Sequence, residues 1–369
     1  MSPPRFHTFR FKNGKSARNR VVVPPMASQT ADTRGMVTEE TLAHYVRLSQ
    51  ANPGILFVEY TFIDPSGKSE PNQLGAATAN HVEGLSRLAT AIKASGALAG
   101  LQLVHAGGKT TSDLAGGPLL GPSPIPVPVK GRESEVPIPM THQQIEALVE
   151  SFSAAAARAA NAGFDIVELH AAHGYGLNQW LSPLTNQRRD AFGGSLANRS
   201  RLLQQIVKRI RHELPNILLA VRLPAQDHVP CGLEVAEMTW VAEQLEQLGV
   251  DLIDVSSGIG GWRRPSSRVG EGYLVEDAAV LKTHLSIPVI GVGGIESGNY
   301  IDSIIQKEYV DFAAVGRAIL NDPSLWRKNH LSNRKEHHDI LDHAVCRTEP
   351  SPGDGVRKLP SPRVEIFCQ

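Results

Sequence analysis

The sequence has few cysteines, no net charge and no long apolar segment. Its three cysteines, Cys231, Cys346 and Cys368, form no CxxC pair, so they suggest neither a disulfide framework nor a structural zinc site. The 37 basic residues balance the 37 acidic ones, which gives no reason to expect nucleic acid or an anionic membrane as a partner. No apolar stretch approaches the ~20 residues of a membrane helix, and residues 1–20 lack the apolar core of a secretory signal. We therefore expect a soluble, cytoplasmic protein.

Eight short segments rich in Val, Ile and Leu alternate with segments of helical character. Near-continuous apolar segments of this length suit parallel strands that are buried on both faces. They cover residues 20–26, 54–62, 98–105, 164–173, 217–225, 250–258, 287–294 and 310–317. Their number and alternation predict an α/β protein, a (β/α)8 barrel. A doubly wound sheet is the alternative, but it would require a GxGxxG motif after the first strand, and residues 21–30 contain none.

Two of the intervening segments carry clear helix signals. Thr141 and Gln144 have the spacing of a capping box, an alanine-rich amphipathic stretch follows, and Gly163 suits the end of that helix. Residues 234–251 repeat the pattern, with Gly249 at the end.

Two regions lie outside the repeat. Residues 112–140, after the third strand, form a long segment rich in Pro and Gly, and a loop of that length is usually functional or forms a lid. We predict one barrel domain over residues 1–330 and a C-terminal extension over residues 331–369. The extension contains His337, His338, His343 and Cys346. Their spacing specifies no tetrahedral metal site, so we interpret this part as a solvated helix.

The last two strands end in residues that suit a phosphate group, which barrels often bind at this position. Gly293 and Gly294 follow the seventh strand, and Gly316 and Arg317 follow the eighth. Glycine lets backbone N–H groups approach phosphate oxygens, and a guanidinium can bind two of those oxygens. The alternative is that these glycines serve only as tight turns.

Two interior positions carry polar side chains that require partners. Arg222 lies in the middle of the fifth apolar segment, and a buried guanidinium needs a carboxylate or an anionic ligand. A purely structural pair with Glu168 or Asp254 is the alternative. Gln102 on the third strand can both donate and accept, as the amide edge of a ligand would require.

The fourth strand ends in His170, His173 and Tyr175. These side chains could bind a metal, relay protons or simply fill a loop. The three-residue spacing of the histidines lies at a strand end and no third ligand is evident, so a metal site is not predicted.

Around these residues the sequence resembles the Old Yellow Enzyme family of NAD(P)H:flavin oxidoreductases. The segment ELHAAHGYGLNQWLSPLTNQRRDAFGGSLANRSR (168–201) follows the family pattern H-x-x-[HN]-G-Y…[FW]-L-S-P…N-x-R-x-D-x-[YF]-G-G-S…N-R almost position for position. QLVHAGGKT, IDVSSG and AVGRAILNDP match further family blocks in the same order. The resemblance runs from about Arg20 to Trp326.

The resemblance implies a barrel that binds FMN non-covalently and uses NAD(P)H as reductant. The positions that match its flavin-binding residues are Pro25, Met26, Ala27, Tyr60, Gln102, Arg222, Gly293, Gly294, Gly316 and Arg317. It further implies hydride transfer from flavin N5 to the C=C bond of an α,β-unsaturated carbonyl compound. In this role His170 and His173 would hydrogen-bond the carbonyl oxygen and Tyr175 would supply a proton.

Three positions beside the expected flavin or substrate depart from the family pattern, and Gly108 departs as well, where an arginine is more usual. Ala27 stands where many relatives have Cys or Thr beside the flavin, and Tyr60 stands where a small residue is common. Gln29 replaces a tyrosine that lines the substrate site in the most similar branch, so we assign it to substrate binding.

Two other functions are compatible with parts of the pattern. A flavin-independent, phosphate-binding lyase or isomerase would display a Schiff-base lysine or a carboxylate base at a strand end, and neither stands out. The second function is that of the dienoyl-CoA reductase and amine dehydrogenase relatives, which carry an iron–sulfur cluster and an extra domain. Three scattered cysteines and a chain ending at residue 369 argue against it. We expect a small enone-type substrate. A homo-oligomer is compatible with the sequence, although no subunit arrangement is implied.

Overall fold

In the computed structural model, residues 2–128, 133–261 and 264–327 are described, and all of them belong to one compact unit, Met1–Asn329. The strands in these ranges are β1 (Phe9–Arg10), β2 (Ser16–Ala17), β3 (Val21–Val23), β4 (Ile55–Phe62), β5 (Leu98–Val104), β6 (Leu120–Gly121), β7 (Ile138–Pro139), β8 (Ile166–His170), β9 (Leu218–Pro224), β10 (Leu252–Ser256), β11 (Val289–Gly291) and β12 (Phe312–Ala314). The helices in these ranges are α1 (Glu39–Ser49), α2 (Val82–Ala94), α3 (Ser112–Ala115), α4 (His142–Asn161), α5 (Gly176–Leu181), α6 (Leu196–Arg199), α7 (Arg201–Glu213), α8 (Val235–Gln247), α9 (Val275–Lys282), α10 (Gly298–Gln306) and α11 (Arg317–Asn321). Short 3-10 helices lie at Pro4–Phe6, Pro65–Gly67, Ala79–His81 and Leu325–Arg327.

Eight of these strands close into a parallel barrel. In order around the barrel they are β3, β4, β5, β8, β9, β10, β11 and β12, and β12 pairs with β3. Each strand falls within one of the eight apolar segments, so the predicted (β/α)8 barrel is confirmed.

The barrel interior changes from apolar at one end to polar at the other. Alternate side chains of a strand point inward, and on β8 these are Ile166, Glu168 and His170. Ile166 belongs to a cluster of buried apolar residues, whereas Glu168 and His170 lie nearer the carboxyl ends of the strands. Active sites of such barrels form at that end, so the polar layers prepare the mouth for ligand binding.

A two-stranded hairpin, β1–β2, packs against the apolar end of the interior. The rings of Phe9 and Phe11 lie 5.1 and 6.0 Å from the ring of Phe312 on β12. Gly14 has φ 88°, and its N–H donates to the Phe11 carbonyl at 2.9 Å. The hairpin thus adds aromatic side chains to the cluster at the amino ends of the strands.

The predicted helix boundaries are confirmed for α4 and α8. Thr141 and Gln144 form the capping box at the start of α4, and Gly163, with φ 92°, follows the end of the helix. α8 begins with a second capping box and is followed by Gly249, with φ 90°. Such conformations are open to glycine at little cost.

The long segment after β5 contains short elements of its own. α3 lies near its start, and β6 and β7 pair in parallel across it; residues 129–132 are outside the described ranges. Its role as a lid stays a prediction. The extension over residues 331–369, with its histidines and Cys346, also lies outside the described ranges. The predicted domain boundary therefore stays a prediction. Within the described part of the chain, no helix has the length and apolarity needed to cross a membrane.

Candidate active site

A buried layer of charged and amide side chains lies beneath the barrel mouth. Arg222 Nε lies 3.1 Å from Asp254 Oδ2, and Gln102 Nε2 donates to Glu168 Oε1 at 2.7 Å. The register pairs Arg222 with Asp254 on one side and His170 on the other. The ion pair with Asp254, which the sequence left as one of two possibilities, is therefore present.

The terminal nitrogens of Arg222 in this layer have no described hydrogen-bond acceptor. Arg222 itself is 6% exposed. Burial raises the pKa of Glu168 well above its usual range, with Asp254 adding to the rise and Arg222 opposing it. Burial likewise raises the pKa of Asp254, opposed by Arg222. One cation thus faces two carboxyl groups, and its outer nitrogens remain available to a ligand.

His170 and His173 lie together at the end of β8, with ring centroids 5.0 Å apart. His173 has φ 60°, a left-handed conformation that is uncommon for a residue other than glycine. Its N–H donates to the Ser257 carbonyl at 3.0 Å, and its Nε2 lies 2.6 Å from Ser256 Oγ. The end of β10 therefore fixes both the backbone and the ring of His173.

Both imidazoles are neutral at neutral pH. Burial lowers the pKa of His170 and of His173 well below the usual range, and the Arg222 guanidinium adds to this effect. His170 Nδ1 is buried without a hydrogen-bond partner among the described residues. Because Ser256 Oγ can donate to Nε2 of His173, it can leave Nδ1–H of that ring as a donor.

Tyr175 precedes α5 and completes the cluster. Its ring lies 5.0 Å from that of His170 and 5.4 Å from that of Tyr60. The side chains of Tyr60 and Ser69 lower the pKa of Tyr175, but burial has the larger effect. Burial raises the pKa of Tyr175, so the phenol keeps its proton at neutral pH.

Lys109 supplies a cation that the sequence reasoning missed. Its Nζ lies 4.8 Å from the centroid of the Tyr175 ring and donates to the His173 carbonyl. Burial lowers the pKa of Lys109 to about 8. Its signal was the family block HAGGK, in which it stands next to the glycines.

The loop after β3 carries four residues that the sequence assigns to flavin or substrate binding. Pro25 is buried, Met26 is half-buried, and Ala27 and Gln29 are exposed. Glu59 on β4 holds this loop, because its carboxylate accepts from Ser28 N at 2.9 Å and from Ser28 Oγ at 2.5 Å. No sequence motif indicates this role of Glu59.

The candidate phosphate region lies at the ends of β11 and β12. Gly293 has φ 128°, and a Cβ there would lie 2.9 Å from the backbone nitrogens of Tyr273 and Leu274. A Cβ on Gly294 would lie 3.2 Å from an outer nitrogen of Arg264. Only glycine therefore fits this turn. Arg264, in the loop after β10, is a second basic side chain that no sequence motif indicated.

The end of β12 brings a predicted phosphate-binding residue close to a predicted flavin-binding residue. A Cβ on Gly316 would lie 3.2 Å from Met26 Sδ, so the β12 end adjoins the loop after β3. Arg317 is exposed and forms no ion pair with a described residue. No described contact joins these residues to the His170–Tyr175 cluster.

Residues 186–199, the second half of the segment that resembles the family, form hydrogen bonds that hold the surrounding loops. Ser195 accepts from Asn198 N at the start of α6. Arg188 donates to the carbonyls of Pro122 and Met140 at 3.2 and 2.8 Å. Arg199 donates to the Leu181 carbonyl at 2.8 Å. These bonds brace the loop around the site.

Sequence comparison assigns this arrangement to a known family. Residues 5–336 match the model of the NADH:flavin oxidoreductase / NADH oxidase family. The NADPH dehydrogenase of Bacillus pumilus is 38% identical over 311 residues, which cover 84% of this chain and 89% of that protein. The chain belongs to the NADH:flavin oxidoreductase family. The NADPH dehydrogenase of Bacillus subtilis is 34% identical over 307 residues, covering 83% and 88%. The predicted resemblance to the Old Yellow Enzyme family is confirmed.

Solved structures agree on the fold. The old yellow enzyme homologue from Zymomonas mobilis aligns with a TM-score of 0.77 and 23% identity, over 88% of this chain and 91% of that one. A 2-naphthoyl-CoA reductase aligns with a TM-score of 0.80 and 24% identity over 88% of this chain, and this chain spans 51% of it. At these identities the likeness concerns the barrel.

This NADH:flavin oxidoreductase is an enzyme that uses FMN with NAD(P)H as reductant, and its function is of the ene-reductase type. The residues present fit FMN. Outer nitrogens of Arg222 without a described acceptor suit an anionic ring edge, and the glycine turn at Gly293 and Gly294 lets backbone approach a phosphate. Among the described residues, no group of three or more His, Cys, Asp or Glu side chains could hold a metal.

Proposed function

We propose that His170, His173 and Tyr175 carry the reduction of an α,β-unsaturated carbonyl compound. The two histidines would donate hydrogen bonds to the carbonyl oxygen of the substrate, and Tyr175 would protonate the α-carbon. The observation that supports this most directly is the cluster itself, in which both neighbouring rings lie 5.0 Å from that of His170. Three side chains with N–H or O–H donors thus lie within one small cluster.

The protonation states support the proposed division of roles. FMN, when bound, supplies a hydride acceptor toward NAD(P)H and a hydride donor toward an electron-poor carbon. Negative charge then develops on the carbonyl oxygen, and neutral imidazole N–H groups stabilise it without giving up a proton. Tyr175 keeps its proton until the α-carbon becomes basic enough to take it. The reaction thus needs neutral hydrogen-bond donors beside a protonated phenol, and these are the protonation states of His170, His173 and Tyr175.

The flavin-binding roles follow the same placement. We propose that Arg222 and Gln102 hydrogen-bond the pyrimidine edge of the flavin, and that Pro25, Met26, Ala27 and Tyr60 lie along it. Gly293, Gly294, Gly316 and Arg317 would hold the phosphate. Gln29, which is exposed in the loop after β3, would contact the substrate.

Tyr175→Phe tests the proton-donor role. Loss of a general acid costs about 100- to 10,000-fold in rate, so we expect that loss in the reoxidation of reduced enzyme by 2-cyclohexenone. Stopped-flow absorbance of the flavin measures both half-reactions separately. Reduction by NADPH should change much less, and an equal loss in the two half-reactions would contradict the role of Tyr175.

The curated relatives are named NADPH dehydrogenases, and on that basis we propose NADPH as the preferred reductant. Reduction rates with NADPH and NADH at equal concentration test this. We also propose a cytoplasmic location, which fractionation of cells tests. Light scattering of the purified protein tests whether it forms a homo-oligomer.

A further inference from the structure

Tyr60, one of the departures from the family pattern, contacts the proposed proton donor. The pairing of β4 with β5 shifts between Val58 and Thr61, and such a shift re-aims side chains. The Tyr60 ring lies 5.4 Å from that of Tyr175 at an interplanar angle of 31°, and the Tyr60 side chain lowers the pKa of Tyr175. The preceding residue, Glu59, accepts a hydrogen bond from Ser28 N. It therefore holds the loop after β3.

Gln73 fixes groups on both sides of Tyr175. Its Oε1 accepts from Ser69 N at 2.8 Å and from Ser69 Oγ at 3.2 Å, and its Nε2 donates to the Tyr60 carbonyl at 3.1 Å. Because Ser69 uses its single hydroxyl proton on Gln73, its oxygen can only accept toward Tyr175. Once Tyr175 has given its own proton to the substrate, its oxygen can only accept, and the hydroxyl of the adjoining Tyr60 ring is a donor.

We propose that Tyr60 is a positioning residue that donates a hydrogen bond to the Tyr175 oxygen and stabilises the phenolate left by proton transfer. The inference rests on the proposed role of Tyr175. In that step the O–H bond of Tyr175 breaks, a C–H bond forms at the substrate α-carbon, and the electron pair stays on the phenolate oxygen. Solvent water restores the proton afterwards.

Other groups around Tyr175 bear on the same charge. Lys109 Nζ, 4.8 Å from the ring centroid, favours the phenolate. Glu70 opposes it, and His170, 5.0 Å away, is neutral. Lys109 contacts the ring, whereas the proposed bond from Tyr60 reaches the oxygen, and a hydrogen bond to a charged atom is stronger than one to a neutral atom. Tyr60 therefore stabilises the phenolate more than the neutral phenol.

Tyr60→Phe tests the inference, because it removes the hydroxyl and keeps the ring. We expect reoxidation by 2-cyclohexenone to slow about 10- to 100-fold, the range for loss of one hydrogen bond to a charged group. The solvent deuterium isotope effect on this step should increase, since proton transfer becomes more rate-limiting. Tyr309→Phe, at an exposed position, is the matched control and should change neither quantity. Flavin content confirms that each variant has folded.

The same change in a Tyr175→Phe background separates positioning from packing. Without the Tyr175 oxygen, Tyr60→Phe should cause less than a threefold further loss. An equal loss in both backgrounds, or no loss in either, would overturn the role of Tyr60 while leaving that of Tyr175 in place. If Tyr175→Phe alone causes no selective loss of reoxidation, the proposed function fails first, and the inference about Tyr60 fails with it.

Discussion

Replacing Arg222 with methionine is expected to destabilise the protein strongly at pH 8 and less at pH 5.5. The guanidinium is 6% exposed and pairs with Asp254, which is 1% exposed. Removing one partner of a buried pair costs about 3–5 kcal/mol, because the remaining charge is left without compensation. Here the remaining groups are two carboxyls, Asp254 and Glu168, whose pKa values burial already raises and Arg222 lowers.

The dependence on pH follows from the sign of these shifts. Without Arg222 the pKa values of both carboxyls rise further, so the folded variant binds more protons than the unfolded chain over a wider pH range. Its stability therefore falls as pH rises. Urea unfolding of the FMN-free wild-type and variant proteins, followed by circular dichroism at the two pH values, measures the difference.

A second substitution provides the matched control. Arg222→Met with Asp254→Asn removes both charges of the pair, so it should recover part of the stability lost by Arg222→Met alone at pH 8. A single variant within about 1 kcal/mol of the wild type at pH 8, against the cost expected for a broken buried pair, would refute the reasoning. A loss that is the same at both pH values would refute the assignment to carboxyl charge.

Two further substitutions test the surroundings of the site. Ser256→Ala removes the hydrogen bond to His173, and we expect about 2- to 12-fold slower reoxidation by 2-cyclohexenone; an unchanged rate would mean that Ser256 does not orient the ring. Gly293→Ala places a Cβ at φ 128° and 2.9 Å from two backbone nitrogens. We expect FMN affinity to fall about 5- to 150-fold through backbone strain, measured by flavin fluorescence, and an affinity within twofold of wild type would contradict a phosphate site there.

Local patterns were enough to predict the barrel and the boundaries of α4 and α8. Apolar segments of strand length indicate strands that are buried on both faces. Thr141 and Gln144 indicate a helix cap, which forms within one turn. The cluster of His170, His173 and Tyr175 could also be predicted, because six positions of one strand end carry all three residues. These features depend on residues close in sequence, and a single chain displays them directly.

Features that depend on distant residues could not be predicted in the same way. Whether Arg222 pairs with Asp254 or Glu168 depends on strand stagger, and the contact between Tyr60 and Tyr175 depends on a shift in the pairing of β4. The anchoring of Ser28 by Glu59 joins the loop after β3 to β4, and no motif links the two. The hairpin at the start of the chain did carry a signal, since Asn13 and Gly14 follow alternating phenylalanines and such a dipeptide favours a tight turn.

The closure of the barrel by its first and last strands also shapes how the protein reaches its fold during synthesis. β3 forms a complete pairing only when β12 is available, and Arg5 N donates at 2.9 Å to Asp302, 297 residues away. Contacts between such distant residues slow folding, because the loop must close before they form. The ribosome must therefore release most of the chain before the first strand gains its last neighbour. Until then one edge of β3 stays open to other strands, and an unpaired edge of this kind favours aggregation of a partly folded chain.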